Sequence, residues 1–207
     1  HTLTAQPPDE FPVIPESPAG AQVICQPGEL SERLRTVIAG VARETSRYAI
    51  NGVLLEKDER IRLVSTDGRR MAIAELRQAA GAFESSVILP SAFCNLVAKL
   101  ACDAEGSLGL NVQANVNESG QKQPSRVFVT ASDWTVSTFD MEGTFPSFRD
   151  SIPRSGSKFA ADRAALAAAV AQVALATSEE NRTVNLALRA RRVDMSATGP
   201  ESGRATA

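Results

Sequence analysis

The chain has 207 residues, 43% hydrophobic and 22% charged, which is long enough for one large or two modest globular domains. Its formal net charge of -2 and sequence pI of about 5.6 exclude a protein whose whole surface attracts nucleic acid, so any phosphate contact must come from a local basic patch. No apolar run approaches the length of a membrane span and no signal sequence opens the chain, which predicts a cytoplasmic protein.

The first twenty residues are rich in proline, a residue excluded from helix interiors and central strands. The prolines of this stretch are Pro7, Pro8, Pro12, Pro15 and Pro18. We interpret residues 1–20 as an extended linker. Because the chain opens on His1 without methionine and stops within a repeating pattern, we expect it to be a piece of a longer protein.

Residues 21–76 predict a β-α-β-β-β unit. A strand-like run at 22–26 precedes apolar residues at helical spacing, which indicate an amphipathic helix over 30–47. The residues of this apolar stripe are Leu30, Leu34, Val37, Ile38 and Val41. Three runs of strand type follow, at 52–56, 61–65 and 71–76.

The same order of elements recurs after residue 85. A strand at 86–89 leads to a helix that starts at Pro90, a residue tolerated at the beginning of helices. The apolar stripe of this helix is Phe93, Leu96, Val97 and Leu100. The strands that complete the second unit lie near 108–112, 126–130 and 134–139.

A third copy begins after Pro153. It combines a strand at 158–160, an alanine-rich helix from Asp162, strands at 184–188 and 193–196, and no convincing last strand. Its helix stripe is Leu166, Val170 and Val173. In an alignment of the first and third copies, Leu30 matches Leu166 and Ser65 matches Ser196.

These repeats predict an α+β fold. We expect the first two units to share one core, with their helices on one face of antiparallel sheets. The corresponding domain plan is a linker at 1–20, a complete domain at 21–150 and part of a second domain at 151–207.

The residues that carry most enzyme chemistry are missing or badly spaced. The only histidine is His1, and no Cys, His, Asp or Glu cluster has the spacing of metal ligands. A nucleophile elbow and nucleotide-binding glycine loops are also absent from the sequence. The aspartates at the ends of predicted strands, Asp67, Asp133 and Asp140, favour turn formation over catalysis. We therefore predict no catalytic residue, no metal and no cofactor.

The cysteines do not indicate a disulfide framework. Cys25, Cys94 and Cys102 are odd in number and lack the Cys-x-x-Cys spacing. All three sit in apolar stretches, so we predict reduced thiols in the core of a cytoplasmic protein.

A basic strip flanks the apolar stripe of the predicted helix 30–47. It comprises Arg33, Gly40, Arg43 and Arg47. Taken alone, this pattern favours a solvated face whose arginines pair with Glu29, Glu32 or Glu44. The functional alternative is weak, salt-sensitive contact with phosphate, to which Tyr48 could add a contact with a sugar or base.

The segment 65–71 is typical of a turn between two strands, with Gly68 free to adopt a positive φ. Its unusual feature is that Arg69 and Arg70 are followed at once by the apolar Met71. Such a turn can offer a docking peptide both an apolar floor and charged partners.

Three runs, 46–56, 64–72 and 142–149, resemble the bacterial sliding clamp, the β subunit of DNA polymerase III, in their residues, spacing and order. The opening 9–15 is similar to the family's link into its middle domain, and 145–153 to the link into its last domain. The resemblance covers nearly the whole chain. It implies a DNA-clamp fold in which three domains of paired β-α-β-β-β units form a protomer, and two protomers close into a ring around duplex DNA.

The resemblance also implies a non-enzymatic processivity factor without cofactors, even though the family is named as a polymerase subunit. It implies DNA contact by Arg43, Arg47 and Tyr48. The implied partners are duplex DNA without regard to sequence, a second copy in the ring, and short peptide motifs of the polymerase catalytic subunit, clamp loader and repair proteins. The implied peptide pocket comprises Ile50, Thr66, Gly68, Arg69, Arg70, Met71 and Pro146.

Some positions depart from the family pattern. Arg69 replaces a common histidine, and Asp150 and Ser151 replace an arginine and an aliphatic residue, so peptide preference is expected to differ. Ser91 and Ala92 stand where some members carry basic DNA-contacting residues, so no DNA contact is expected there. We expect this piece alone neither to close a ring nor to retain DNA.

Two alternatives to the clamp stay open at this point. The first is a stand-alone peptide-binding module that uses the Thr66–Met71 turn and Pro146 and has no DNA role. The second is an enzyme acting through Asp67 or Asp133, which would need a metal or base partner that the sequence does not provide.

Overall fold

The computed structural model of the chain describes residues 14–43, 49–84, 86–116, 122–153, 155–156, 159–177, 183–199 and 203–206. The chain divides into two compact units, His1–Arg149 and Asp150–Ala207. Among these described residues, no helix is both long and apolar enough to cross a membrane.

The first unit contains two successive β-α-β-β-β halves, as the repeats predict. The first half comprises β1 (Val23–Cys25), α1 (Pro27–Ile38), β2 (Gly52–Lys57), β3 (Ile61–Thr66) and β4 (Met71–Leu76), and a short β5 (Ala80–Gly81) follows it. The second half comprises β6 (Val87–Pro90), α2 (Ser91–Leu100), β7 (Leu108–Val116), β8 (Lys122–Thr130) and β9 (Thr135–Phe139).

Each half of the first unit lends its first strand to the other half. The five-stranded sheet has the order β5-β1-β7-β8-β9, and the four-stranded sheet has the order β4-β3-β2-β6. Strand β1 pairs with β7, placing Val23 opposite Leu110, and β6 pairs with β2, placing Ile88 opposite Leu54. All these pairings are antiparallel, and the exchange ties the two halves into one domain.

Helix α1 ends at Ile38, so the predicted helix over 30–47 is wrong at 39–43, and residues 44–47 fall outside the described part of the chain. The Val37 carbonyl accepts hydrogen bonds from the Gly40 N–H and from the Ser65 hydroxyl of β3. A Cβ at Gly40 would lie 2.6 Å from the Ser65 Oγ, so this close approach requires glycine. The chain then leaves the helix, and the Ala42 N–H donates to the Ile50 carbonyl at 3.0 Å.

One apolar core, called here the main core, joins both helices to one face of each sheet. Its fully buried side chains include Val37 of α1, Val97 of α2, Leu55 and Leu63 of the four-stranded sheet, and Leu108 and Val127 of the five-stranded sheet. The two helices touch directly, since the Ser31 hydroxyl donates to the Ala98 carbonyl at 2.7 Å. By contrast, Leu96 is 46% exposed, so the predicted stripe of α2 is only partly buried.

Two of the cysteines belong to the main core. Burial raises the pKa of the Cys25 thiol to about 11, with a smaller contribution from the Glu29 carboxylate, and burial raises that of Cys94 to about 12. Both thiols are therefore protonated near neutral pH. Cys102 is exposed, which corrects the prediction of a buried thiol at that position.

The second unit contains α3 (Arg163–Ala174), β10 (Asn185–Arg189), β11 (Arg192–Gly199) and β12 (Gly203–Thr206). The Asp162 side chain caps α3 by accepting from the Ala165 N–H at 2.8 Å. The strands form one sheet in chain order, so β12 is the last strand that the sequence pattern did not reveal. The strand predicted at 158–160 is wrong at Phe159 and Ala160, which lie in no strand, and Lys158 falls outside the described residues.

Candidate functional site

The four-stranded sheet has a second apolar face, which points away from the main core and is called here the outer face. Along β2, Val53 and Leu55 enter the main core, and Leu54 between them points to the outer face. The strand register places Leu54 opposite Val64 on one side and opposite Ile88 on the other. An apolar row therefore crosses the sheet on its outer face.

Residues 141–149, called here the covering segment, pack against this apolar row. Phe148 is 6% exposed and clusters with Leu54, Val64 and Ile88. The Phe145 ring meets the Phe148 ring edge to face, with the ring centroids 6.4 Å apart. Apolar packing thus holds a segment without regular strand structure against the sheet.

An open pocket of about 430 Å³ lies between the covering segment and the outer face. Its walls combine aromatic and aliphatic side chains with the charged groups of Glu56 and Arg149. The lining residues are Leu54, Glu56, Ser86, Ile88, Asp140, Met141, Gly143, Thr144, Phe145, Pro146, Ser147, Phe148 and Arg149. The lining exposes more polar than apolar surface, so polar groups of a ligand would find partners beside the aromatic wall.

A charged row runs beside the apolar row on the outer face. The register places Arg62 opposite both Glu56 and Glu75. The Arg62 Nε lies 3.2 Å from the Glu75 Oε1, and the Arg149 Nη2 lies 2.8 Å from the Glu56 Oε1. Oppositely charged side chains on neighbouring strands support the sheet, and here they also reach the covering segment.

The β3–β4 turn is organised by the Asp67 carboxylate. The Asp67 Oδ1 accepts from the Arg69 N–H at 3.0 Å and from the Arg70 N–H at 2.9 Å, and the Asp67 Oδ2 accepts from the Arg70 Nε at 3.0 Å. Gly68 takes a φ of +83°, as the turn prediction requires. The backbone N–H donors, first of Arg70 and then of Arg69, lower the pKa of the Asp67 carboxyl below its usual value.

This lowered pKa predicts a pH dependence of stability that Asp67→Asn should remove. A carboxyl whose folded pKa is depressed stabilises the fold above its unfolded pKa of about 4, and that contribution disappears as the pH falls through the folded pKa. We expect wild type to lose more free energy of unfolding than the variant between neutral pH and about pH 3. Urea unfolding at several pH values measures this difference. A gap between the two proteins that stays constant with pH would contradict the assignment.

The residues of the predicted peptide pocket fall into three groups. Met71 packs against the outer-face cluster that contains Val64 and Phe148, and Thr66 lies opposite Met71 in the strand register. Pro146 lines the 430 Å³ pocket. The third group comprises the remaining four residues. Gly68, Arg69 and Arg70 are exposed in the β3–β4 turn, and Ile50 is half-buried next to Ala49.

Ala49 connects this region to the covering segment, because its N–H donates to the Thr144 carbonyl at 3.4 Å. Asp150 and Ser151 are both exposed, in a short 3-10 helix at Phe148–Ser151. Ser91 and Ala92 form the first turn of α2.

Of the three predicted DNA-contacting residues, the structure describes only Arg43. Arg43 is exposed but lies beyond the end of α1, so it does not continue a helical strip with Arg33. Arg47 and Tyr48 fall outside the described residues. Arg33 lies 3.5 Å from the Glu32 carboxylate, one of the predicted pairings, but its side chain is only 29% exposed and so does not lie on a fully solvated face. The Glu29 carboxylate instead accepts from two backbone N–H groups, those of Arg77 and Gln78.

Sequence reasoning missed the importance of Glu56 and Arg149. The signal in the sequence was a carboxylate directly after the apolar residues Val53, Leu54 and Leu55. In the structure Glu56 is only 5% exposed, which is unusual for a charged residue. In the part of the chain that the structure describes, no three His, Cys, Asp or Glu side chains come together as metal ligands would.

Comparisons with known proteins point to one family. A family profile described as DNA polymerase III β subunit, central domain, matches residues 26–147, more than half of the chain. The β sliding clamp of Pseudomonas putida is 28% identical over 203 residues, which are 97% of this chain and 53% of that protein. The β sliding clamp of Rickettsia bellii is 26% identical over 205 residues, 98% of this chain and 52% of that protein.

Solved structures agree with these relatives. The DNA polymerase III subunit β of Pseudomonas aeruginosa matches with a TM-score of 0.80 at 25% identity, covering 98% of this chain and 54% of that one. The DNA polymerase sliding clamp of Caulobacter crescentus matches with a TM-score of 0.80 at 25% identity, covering 98% and 53%. These matches confirm the predicted α+β fold class. The chain spans about half the length of the curated relatives it matches.

Proposed function

The chain belongs to the family of DNA polymerase III β subunits, the bacterial sliding clamps, and from this membership we propose that it forms part of a ring that tethers replication proteins to duplex DNA. The proposed role is that of a processivity factor, which holds its partners on DNA in the cytoplasm and catalyses no reaction. The observation that carries the proposal is the pocket between the covering segment and the outer face, next to the Met71 side chain.

The proposed docking site accepts short peptide motifs of the polymerase catalytic subunit and the clamp loader. Apolar contacts are available at Met71 and Pro146, and the exposed Arg69 and Arg70 can meet carboxylates or carbonyl oxygens of the peptide. Ile50, Thr66 and Gly68 complete the proposed site. A solved relative from Pseudomonas aeruginosa, 26% identical to this chain, binds griselimycin, so a clamp of this family accepts a ligand.

The proposed DNA contact is local and weak. The residues proposed for it are Arg43, Arg47 and Tyr48, in a chain whose formal net charge is -2. Few phosphate contacts give low affinity and strong salt dependence, which suit a protein that must slide. The proposed domain plan is a linker at 1–20, the middle clamp domain at 21–150 and part of the last clamp domain at 151–207.

The test of docking is the binding of a fluorescently labelled peptide that carries the clamp-binding motif of a polymerase III catalytic subunit. We expect fluorescence anisotropy to detect binding by the chain, and Arg70→Ala combined with Met71→Ala to weaken the affinity at least about tenfold, because both anchors are removed. The matched control is Arg35→Ala combined with Leu96→Ala, which alters an exposed cation and an exposed apolar residue on the helices and should leave affinity unchanged.

No binding by wild type, or equal weakening in the two double variants, would overturn the docking site. The DNA role has its own measurement in the full-length protein, namely duplex binding at low and high salt with and without Arg43→Ala and Arg47→Ala. Salt-dependent binding that the two substitutions abolish supports the clamp. Peptide binding without such DNA contact favours the stand-alone peptide-binding module instead.

A further inference from the structure

The two ends of the covering segment are held in different ways. At its start, backbone hydrogen bonds fix the chain, since the Asp140 N–H donates to the Ser125 carbonyl at 2.8 Å and the Met141 N–H donates to the Ile88 carbonyl at 2.8 Å. At its end, a side chain makes the attachment, because the Arg149 guanidinium reaches the Glu56 carboxylate. At the far end this charged contact therefore adds to the apolar packing of Phe148.

Glu56 is a carboxylate that needs a close cation. Its side chain is 7% exposed, and a buried charge is costly unless it is paired and hydrogen-bonded. The Arg149 Nη2 lies 2.8 Å from the Glu56 Oε1, whereas the nearest Arg62 nitrogen lies 4.0 Å away. Arg62 is also shared with Asp58 and Glu75. Arg149 also lies 3.6 Å from the Asp58 carboxylate, but it is the closer of the two cations to Glu56.

The same arginine also stabilises the aromatic residue beside it. The Arg149 guanidinium stacks over the Phe148 ring, with its central carbon 4.9 Å from the ring centroid. Phe148 is buried in the outer-face cluster, and its edge-to-face partner Phe145 precedes Pro146 on the wall of the pocket. If Arg149 leaves Glu56, the Phe148 ring loses the cation stacked on it, and the pocket wall loses its ion pair with strand β2.

We propose that Glu56 and Arg149 form a positioning pair, which holds the Phe145–Arg149 part of the covering segment on the outer face and so sets the shape of the pocket that receives the partner peptide. This inference rests on the proposed docking function. Glu56 lies on strand β2, and Arg149 lies at the end of the covering segment.

The first test examines the segment without any peptide. Chymotrypsin cleaves after an aromatic residue only when the local chain opens, so cleavage after Phe148 reports release of the segment. Because Arg149 directly follows the cleaved bond, each rate is divided by the rate for an unstructured peptide of the same local sequence. We expect Arg149→Gln to accelerate this normalised cleavage about tenfold, because it leaves the buried carboxylate poorly compensated. Adding Glu56→Gln to Arg149→Gln should accelerate it little further, since both changes break one pair. Cleavage after the exposed Phe159 is the internal reference.

The matched control for this test is Arg189→Gln, which breaks an exposed ion pair with Asp194 in the second unit. It should leave cleavage after Phe148 unchanged, because exposed pairs contribute little. Equal cleavage rates in wild type and Arg149→Gln would show that the pair does not hold the segment.

The second test measures affinity for the labelled peptide. We expect Arg149→Gln to weaken binding about tenfold and Arg149→Lys to recover most of it, because lysine restores a cation beside the Glu56 carboxylate. Faster cleavage with unaltered affinity would overturn the positioning role. If wild type does not bind the peptide, the docking function fails, whereas the cleavage result still decides whether the pair holds the segment.

Discussion

Shortening Leu55 to alanine is expected to lower the free energy of unfolding by about 2–5 kcal/mol. Leu55 is 0% exposed in the interior strand β2 of the four-stranded sheet, so the substitution removes buried methyl groups and leaves a cavity in the main core. Urea unfolding measures the loss. The single tryptophan, Trp134, packs against the main core, and its fluorescence reports the transition.

The control for Leu55→Ala is Leu96→Ala. Both substitutions remove the same atoms, but Leu96 is 46% exposed on α2, so its loss should be below about 1 kcal/mol. Helical spacing alone would place Leu96 in the core with its neighbours. Equal destabilisation by the two substitutions would therefore contradict the burial described for α2.

Placing a methyl group at Gly52 is expected to destabilise the first unit by about 1–3 kcal/mol. A Cβ at this position would lie 2.7 Å from the Leu89 carbonyl oxygen of the neighbouring strand and 2.7 Å from the Met141 Sδ. The backbone oxygen cannot move without disturbing the β2–β6 pairing, and Met141 begins the covering segment. Gly52→Ala should therefore lower the midpoint of urea unfolding and also accelerate chymotrypsin cleavage after Phe148.

Gly28→Ala is the matched control for Gly52→Ala. Gly28 lies in the first turn of α1, and nothing approaches its Cβ position within 4 Å. Alanine reduces the freedom of the unfolded chain, so this variant should be neutral or more stable by up to about 1 kcal/mol. Similar losses at both glycines would mean that the close contact at Gly52 does not restrict the fold.

The strands of the first unit could be predicted because their signals are local. Alternating apolar residues and turn chemistry place β2, β3 and β4 within one residue of their observed bounds. The end of α1 could not be predicted in this way. Its position depends on the contact of Gly40 with Ser65, a residue of β3 that is distant in the sequence and adjacent only in the fold.

The alignment of the repeats shows a second limit of periodicity. Ser65 faces α1, where its hydroxyl bonds to the Val37 carbonyl, and Ala197 packs with Val173 of α3. The structural counterpart of Ser65 is therefore Ala197 and not Ser196, to which the sequence alignment assigned it. A shift of one residue in a strand moves every side chain to the opposite face. The residue types of the two strands did not reveal which of the two registers is correct.

The same distinction between local and distant contacts applies to the candidate site. The β3–β4 turn was predictable because aspartate and glycine specify such turns through hydrogen bonds within a few residues. The attachment of Arg149 to Glu56 depends on the path of the chain through one helix and seven strands between them, and no local pattern encodes it. The resemblance to sliding clamps predicted a set of pocket residues, of which Pro146 lines the described pocket, but it did not predict the pair that we propose to hold the pocket wall.

The exchange of first strands also bears on how the chain folds as it is synthesised. Val23 of β1 cannot pair with Leu110 until β7 has left the ribosome. The first half therefore emerges while β1 still lacks this neighbouring strand. Closing so long a loop before any pairing is gained slows folding, as in other proteins dominated by distant contacts. During that interval β2 presents an open edge where β6 will later pair, and such edges recruit other chains. Rapid completion of translation past β7 would therefore shorten the time during which these edges can recruit other chains.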